Sequence, residues 1–405
     1  MLNLFYKYPV CTRLAVTKLQ YLINFFNESF NRLDKNLKEI KKNLHLNENI
    51  NNIINIKCSE GDSHQKSKSI IIYEFENEDK IVYKPKNLKI VEAYNEFIEW
   101  VNLNSGLLDI KKNLGLYYDN YSFEKYIEYK ECESISQIEN YYKRFGQIIA
   151  LSYILCANDF HLENLIANGE YPILIDLETI IQGINPIKSD NGITTKVKMD
   201  LQINSVINSC LLPVIGFNDN TANKGIDISA LNGKEQKLPF KVLAPTNINT
   251  DNFKYEYINY IRPGANNIPK YSGRYIEFFN YTDSILNGFD DMMKFFLNEK
   301  NNLLKKGSKL KIFKDLLVRN VKSTNKYASL LGFSSHPNYM IDMLKREKLL
   351  ENMWAYPYIN KEVVKYENKD MMFDDIPIFF SYTNSKDLIS SDNNTIKNYF
   401  TKNGY

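Results

Sequence analysis

The sequence predicts an α+β fold, and three stretches carry that expectation. A long amphipathic segment lies near the N-terminus, two β-runs meet across a polar turn, and a largely apolar helix leads into a loop and a further β-run.

In residues 12–44, Leu14, Leu19, Leu22, Ile23, Phe26, Phe30, Leu33 and Leu37 recur at helical spacing. Residues 46–56 are rich in Asn and Ile and leave the element open. A strand at 69–76, a polar turn at 77–79 and a strand at 80–84 form a hairpin. Pro85 ends it, and a helix follows over 90–102. Residues 121–129 read as a strand. A helix over 135–156 grows apolar towards its end, as a helix buried in a core does. Residues 158–179 read as loop, short strand, a turn at Gly169 and Glu170, and a β-run ending at Asp176. From 180 to 270 the chain is polar and irregular, and a loop this long in a compact protein is typically functional or partly disordered. Helical periodicity returns over 275–335. The last 70 residues mix short helices with DDIPIFF at 374–380, and no internal repeat is visible.

The 405 residues suffice for one to three domains. Hydrophobic residues make up 44% and charged residues 24%, the balance of a soluble globular chain. A net charge of +3 without a Lys/Arg block argues against nucleic acid. The five cysteines form no CxxC pair, so neither a zinc knuckle nor a disulfide framework is expected. No run reaches the ~20 apolar residues of a membrane span, and the N-terminus lacks a signal peptide's apolar stretch, so the expected location is the cytoplasm.

Asp159, His161 and Asn164 fall within six residues, directly after the buried helix, and Asp176 ends a β-run twelve residues later. Each alone reads as a polar cap or a strand end. Together they form a loop and a hairpin that returns a second acid to the same place. Phosphoryl transfer needs such a set: a carboxylate near the attacking hydroxyl, oxygen ligands for Mg²⁺, and a cation on the ATP phosphates. Asp159 is the expected base or hydroxyl-orienting group. Asn164 and Asp176 are the expected Mg²⁺ ligands, and Glu178 points to the same side if the strand persists. Lys84, at a strand end, is the candidate phosphate-binding cation. Glu96 is its expected partner on the following helix, with Glu92 and Glu99 as competitors. G-D-S-H at 61–64 precedes the first expected strand, where a phosphate-covering loop would lie. Asp62 and His64 stand there, and a His beside an acid suits proton transfer.

At these residues the chain resembles the dehydratase domain of LanM-type (class II) lanthipeptide synthetases. The resemblance rests on GDSHQKSKSIIIYEFENEDKIVYKPKNL, on the stretch from FEKYIEY to LIDLET, on CLLP at 210–213, on GRYIEFFNYTDSILNGFDDM and on FDDIPIFF. It implies a two-lobed, kinase-like fold similar to phosphoinositide kinases. The implied division is an N-terminal helical segment over 1–56, a smaller lobe over 57–130 and a larger lobe over 131–405, with an activation-loop region at about 180–270. The implied activity is ATP- and Mg²⁺-dependent phosphorylation of Ser and Thr in a precursor peptide, followed by phosphate elimination to dehydroalanine and dehydrobutyrine. By resemblance, Lys84, Asp159, His161, Asn164, Asp176 and Glu178 serve phosphorylation, and Asp62 and His64 serve elimination. The family adds an Arg and a Thr six residues apart on a late helix. Thr324 fits, Val318 stands six before it, Arg319 is one residue off, and Lys322 falls where a second Arg is common. Clustered Cys and His for the family's zinc cyclase are missing. That leaves a standalone dehydratase, one half of a split synthetase with a separate cyclase, or a fragment. A kinase that stops at phosphorylation and a non-catalytic precursor-binding module are the alternative functions.

Overall fold

The computed structural model describes residues 2–48, 50, 52–184, 193, 197, 204–219, 224–320, 324–356 and 360–405. Its helices and strands make a mixed α+β chain, as expected. A short α1 (Leu2–Lys7) precedes α2 (Pro9–Asn43). Pro9, with its preset φ, opens α2. Phe25, Leu33 and Ile40 bury one face of α2, whereas Leu19, Leu22 and Ile23 of the expected apolar stripe stay exposed.

The buried face packs on a five-stranded antiparallel sheet of order β1-β2-β3-β5-β4. Its strands are β1 (Ile53–His64), β2 (Lys68–Phe75), β3 (Lys80–Lys84), β4 (Gly115–Tyr117) and β5 (Ser122–Lys125). Alternate residues of β2 are buried, which is why its Ile/Tyr/Phe pattern forms a strand with one face inward. The end of the open stretch, residues 53–56, forms the start of β1. GDSH therefore ends an additional strand, β1, and precedes the expected strand, β2. The strand expected over 121–129 shortens to β5.

After β3, α3 (Lys89–Ser105) and α4 (Ile135–Ile154) enter the largest core together with α5 (Thr282–Leu303). Helices α4 and α5 meet through glycines. A Cβ on Gly146 would lie 1.9 Å from the Ile285 carbonyl oxygen, and one on Gly288 would lie 1.9 Å from that of Lys143. The hairpin of β6 (Leu165–Asn168) and β7 (Tyr171–Leu174) turns at Gly169, whose φ is +61°.

Two expectations change in the second half. The stretch read as irregular holds β8 (Ile215–Asp219), β9 (Lys224–Asp227) and a long hairpin of β10 (Gln236–Thr246) and β11 (Lys254–Arg262). The stretch read as helical is interrupted. After the pair β12 (Lys270–Tyr271) and β13 (Arg274–Tyr275), and after α5, comes β14 (Leu317–Asn320). The chain continues through α6 (Thr324–Ser334), α7 (Pro337–Ile341), α8 (Met343–Leu350) and α9 (Glu362–Met372). DDIPIFF leads into β15 (Phe379–Tyr382), which pairs with β14 and with β16 (Leu388–Ser390); β17 (Thr395–Ile396) closes this sheet. Among the described residues, no helix is long and apolar enough to cross a membrane. The five cysteines are unpaired.

Candidate active site

A cleft of about 590 Å³ opens where β1, β3, the 158–176 segment and β14 converge. Local folding aims its side chains. Phe160 and Leu162 are buried, so the alternate residues Asp159, His161 and Glu163 face the cleft. Backbone bonds pin the loop from both sides, with Phe160 N–H donating to Ser209 O and Leu162 N–H to Ile228 O. Asp159 adopts a left-handed φ of +68°, which Asp tolerates better than most residues. The Asn164 amide nitrogen donates to Asp159 O at 2.8 Å, which leaves its amide oxygen for another partner.

Burial pushes the half-buried Asp159 carboxyl above the usual range. His161 opposes the shift and Asp176 reinforces it. Asp176 lines the cleft, and its Oδ1 is buried without a hydrogen-bond partner. The strand expected to carry Asp176 and Glu178 on one side ends at Leu174. Glu178 is instead buried, ion-paired to Lys86 Nζ at 2.7 Å and to Arg319 Nη1 at 2.7 Å. Burial alone would raise its carboxyl, but Lys86 and Arg319 outweigh that and hold it far below the usual range.

Lys84 lies beneath the cleft rather than on its wall. The partner expected at Glu96 is Glu124, on the neighbouring strand β5, at 2.7 Å. The Lys84 ammonium also donates to Ile175 O at 2.6 Å. Burial lowers its basicity, but Glu124 outweighs it and the ammonium is held above its ordinary pKa. Glu96 pairs with Lys309 and Glu99 with Lys112 rather than with Lys84.

Asp62 and His64 reach the cleft from the end of β1. His64 is 8% exposed. Its Nδ1 lies 2.9 Å from Ile376 O and its Nε2 lies 3.1 Å from Arg319 Nη2. A carbonyl only accepts and a guanidinium only donates, so the ring is neutral with its proton on Nδ1. Burial, then the Arg319 charge, lower its pKa to about 4.

Arg319 sits on β14, not on a helix. Its backbone N–H donates to Glu178 O, and strand alternation buries Val318 while turning Arg319 to the cleft. Of the two positions weighed for the Arg, Arg319 lines the cleft and Val318 is in the core. Thr324 opens α6 and also lines the cleft. Lys322 lies outside the described residues.

Sequence reasoning missed Lys86, although it stands in the same KPK run as Lys84. It also missed Arg262, at the end of β11. Arg262 pairs with Glu163 at 2.8 Å while its Nη1 is buried without a partner, and no local pattern marks it. The cleft thus combines four acids, Asp62, Asp159, Glu163 and Asp176, the imidazoles of His64 and His161, and four cationic side chains, Lys68, Lys86, Arg262 and Arg319.

The chain belongs to the family described as Domain of unknown function (DUF4135), whose model matches residues 8–382. Among curated proteins it is similar to the Lacticin 481/lactococcin biosynthesis protein LcnDR2 of Lactococcus lactis subsp. lactis, with 26% identity over 336 residues. The match covers 79% of this chain and 35% of that protein, so the chain spans about a third of its relative's length.

Proposed function

We propose that this chain acts in lanthipeptide biosynthesis, dehydrating Ser and Thr of a precursor peptide in two steps at the one cleft. The similarity to a lacticin 481 biosynthesis protein supports the substrate class. The single observation that carries the two-step reading is Arg319, which bonds both Glu178 of the proposed phosphorylation set and His64 of the proposed elimination set. In this reading the chain is a two-lobed, kinase-like unit divided near residues 56 and 130, with ATP and Mg²⁺ as co-substrate and metal.

The residues fit Mg²⁺. Asp176 offers a buried oxygen without a partner, and Asn164 offers an amide oxygen. Among the described residues no group of three or more His, Cys, Asp and Glu gathers to hold a metal. That suits a cation held by one or two carboxylates and completed by substrate phosphates. When bound, Mg²⁺ neutralises charge on the transferring phosphoryl group.

In the first step the peptide hydroxyl oxygen bonds to the γ-phosphorus, the bond to the bridging oxygen breaks and ADP leaves. Asp159, its carboxyl raised by burial, orients the hydroxyl and takes its proton. Lys84 steadies Ile175 O, and with it the approach of Asp176. In the second step a base removes the Cα proton, Cα=Cβ forms, and the Cβ–O bond breaks as phosphate departs with the electron pair. His64 is neutral, so its Nε2 can accept that proton once Arg319 turns to the leaving phosphate. Arg319 and Lys86 then stabilise the departing charge, with Asp62 and Thr324 at the same wall.

A peptide kinase that stops at phosphorylation is the second reading, favoured by the Arg319 bond that occupies the Nε2 lone pair. The dehydration reading is tested by presenting a synthetic phosphoserine peptide with ADP and Mg²⁺ and following inorganic phosphate. Release of phosphate with formation of dehydroalanine is expected; an intact phosphopeptide would leave the kinase-only reading.

A further inference from the structure

DDIPIFF stands out in the sequence, and of its residues only Ile376, through its carbonyl on His64, has a part in the chemistry above. It passes beside the turn between β1 and β2, where Gln65, Lys66 and Ser67 all take left-handed backbone, with φ of +47°, +70° and +58°. Three consecutive non-glycine residues in that region are costly, and they persist only where surrounding contacts over-determine them. The contact is Asp375. Its Oδ2 accepts the Lys66 N–H at 2.6 Å and its Oδ1 accepts the Ser67 N–H at 3.2 Å. Successive N–H groups in such a turn make a concave anion site, and here the anion is a side chain of the same chain. Asp375 is 4% exposed. The next residue completes the grip, because Ile376 O accepts the proton of His64 Nδ1 at 2.9 Å. Lys18 of α2 ties the same turn through Ser67 Oγ at 3.0 Å.

We propose that Asp375, together with the Ile376 carbonyl, is a positioning device that locks the β1–β2 turn and sets the tautomer of His64, presenting Nε2 to Arg319. The two bonds from Asp375 fix the turn. A fixed turn places His64 under the Ile376 carbonyl, which can accept but never donate, so the ring proton stays on Nδ1. Without the carboxylate the three left-handed residues relax and the distance to Ile376 is no longer held. Its consequence for elimination rests on the role of His64 proposed above. Arg319, Lys86 and Glu178 also face His64, and Lys18, Asp374 and Asp370 face Asp375. Substitution at Asp375 leaves the three groups around His64 in place.

The test is nitrogen NMR of the full chain labelled at histidine, comparing the natural sequence with Asp375→Asn and Asp375→Ala. His64 is one of four histidines and is assigned with His64→Gln. In the natural protein the His64 ring is expected to remain neutral and protonated on Nδ1 down to about pH 4. In both variants the fixed tautomer is expected to disappear, because the Ile376 carbonyl no longer holds the proton on Nδ1. Phosphate release from the phosphoserine peptide is expected to fall about tenfold, part of the ~100-fold or more that a positioned acid or base supplies. Asp375→Asn keeps the shape and one acceptor, so it reads the effect if Asp375→Ala does not fold. An unchanged His64 tautomer in folded Asp375→Asn overturns the proposal. A released ring with undiminished phosphate release upholds the lock and overturns instead the role of His64 in elimination.

Discussion

Arg319 Nη2 donates to His64 Nε2 at 3.1 Å across 255 positions of sequence, while its Nη1 donates to Glu178 at 2.7 Å. Only a planar fork with several fixed donors can hold both partners, and a lysine ammonium cannot reproduce it. Arg319→Lys is therefore expected to slow elimination by roughly a hundredfold, the order seen when one transition-state donor is lost. Mass spectrometry of the peptide should then find phosphorylated product accumulating. Dehydration at the natural rate in Arg319→Lys would show that the bridge is not needed.

Lys84 and Glu124 form a buried pair, 5% and 6% exposed. Removing one partner of such a pair leaves a buried charge unmatched, which costs about 3–5 kcal/mol. Glu124→Gln is expected to lower the urea unfolding free energy by that order. Glu96→Gln breaks only an exposed pair with Lys309 and should stay within about 0.5 kcal/mol. The reverse ranking would restore Glu96 as the important partner.

His64 ties stability to pH with a definite sign. Its folded pKa of about 4 lies below the ordinary 6.5. Between those values the unfolded chain binds a proton that the folded chain refuses, so this residue's share of stability is lost as pH falls through the window. The full effect is about 3 kcal/mol. The fall in unfolding free energy between pH 7 and pH 4 should be smaller in His64→Gln than in the natural protein. Equal losses would mean that the ring is not held neutral.

Asp176 has a buried oxygen with no partner in the protein. Neutralising it removes repulsion with Asp159 together with attraction to Lys84 and Arg319, and breaks no bond to Oδ1, so Asp176→Asn should melt close to the natural protein. Calorimetry with Mg²⁺ and a non-hydrolysable ATP analogue should find binding weakened by roughly 10- to 100-fold, the scale for disturbed metal sites. Undiminished Mg²⁺-dependent binding would remove Asp176 from the metal site.

The elements legible in the sequence are those whose period is set by a single buried face. Helices α3 and α4 and the hairpin of β2 and β3 follow from such patterns, and Phe160 and Leu162 anchor a loop whose polar residues were already evident. What was hidden depends on neighbours distant in sequence. Glu124 meets Lys84 only because β5 lies beside β3, so a search along the following helix led to Glu96. Strand β14 is four residues between helical stretches, too short to show a period, and its position decides that Arg319 rather than Val318 faces the cleft. The hairpin of β10 and β11 is exposed along most of β11, so no apolar alternation marks it.

The two-step reading meets its most direct test in the mass of a precursor peptide. The full chain is incubated with ATP, Mg²⁺ and a Ser/Thr-rich lanthipeptide precursor, and the peptide is weighed. Loss of ~18 Da per modified residue, passing through an intermediate that gains ~80 Da, is expected. A peptide of unchanged mass, with no ADP formed, would contradict it.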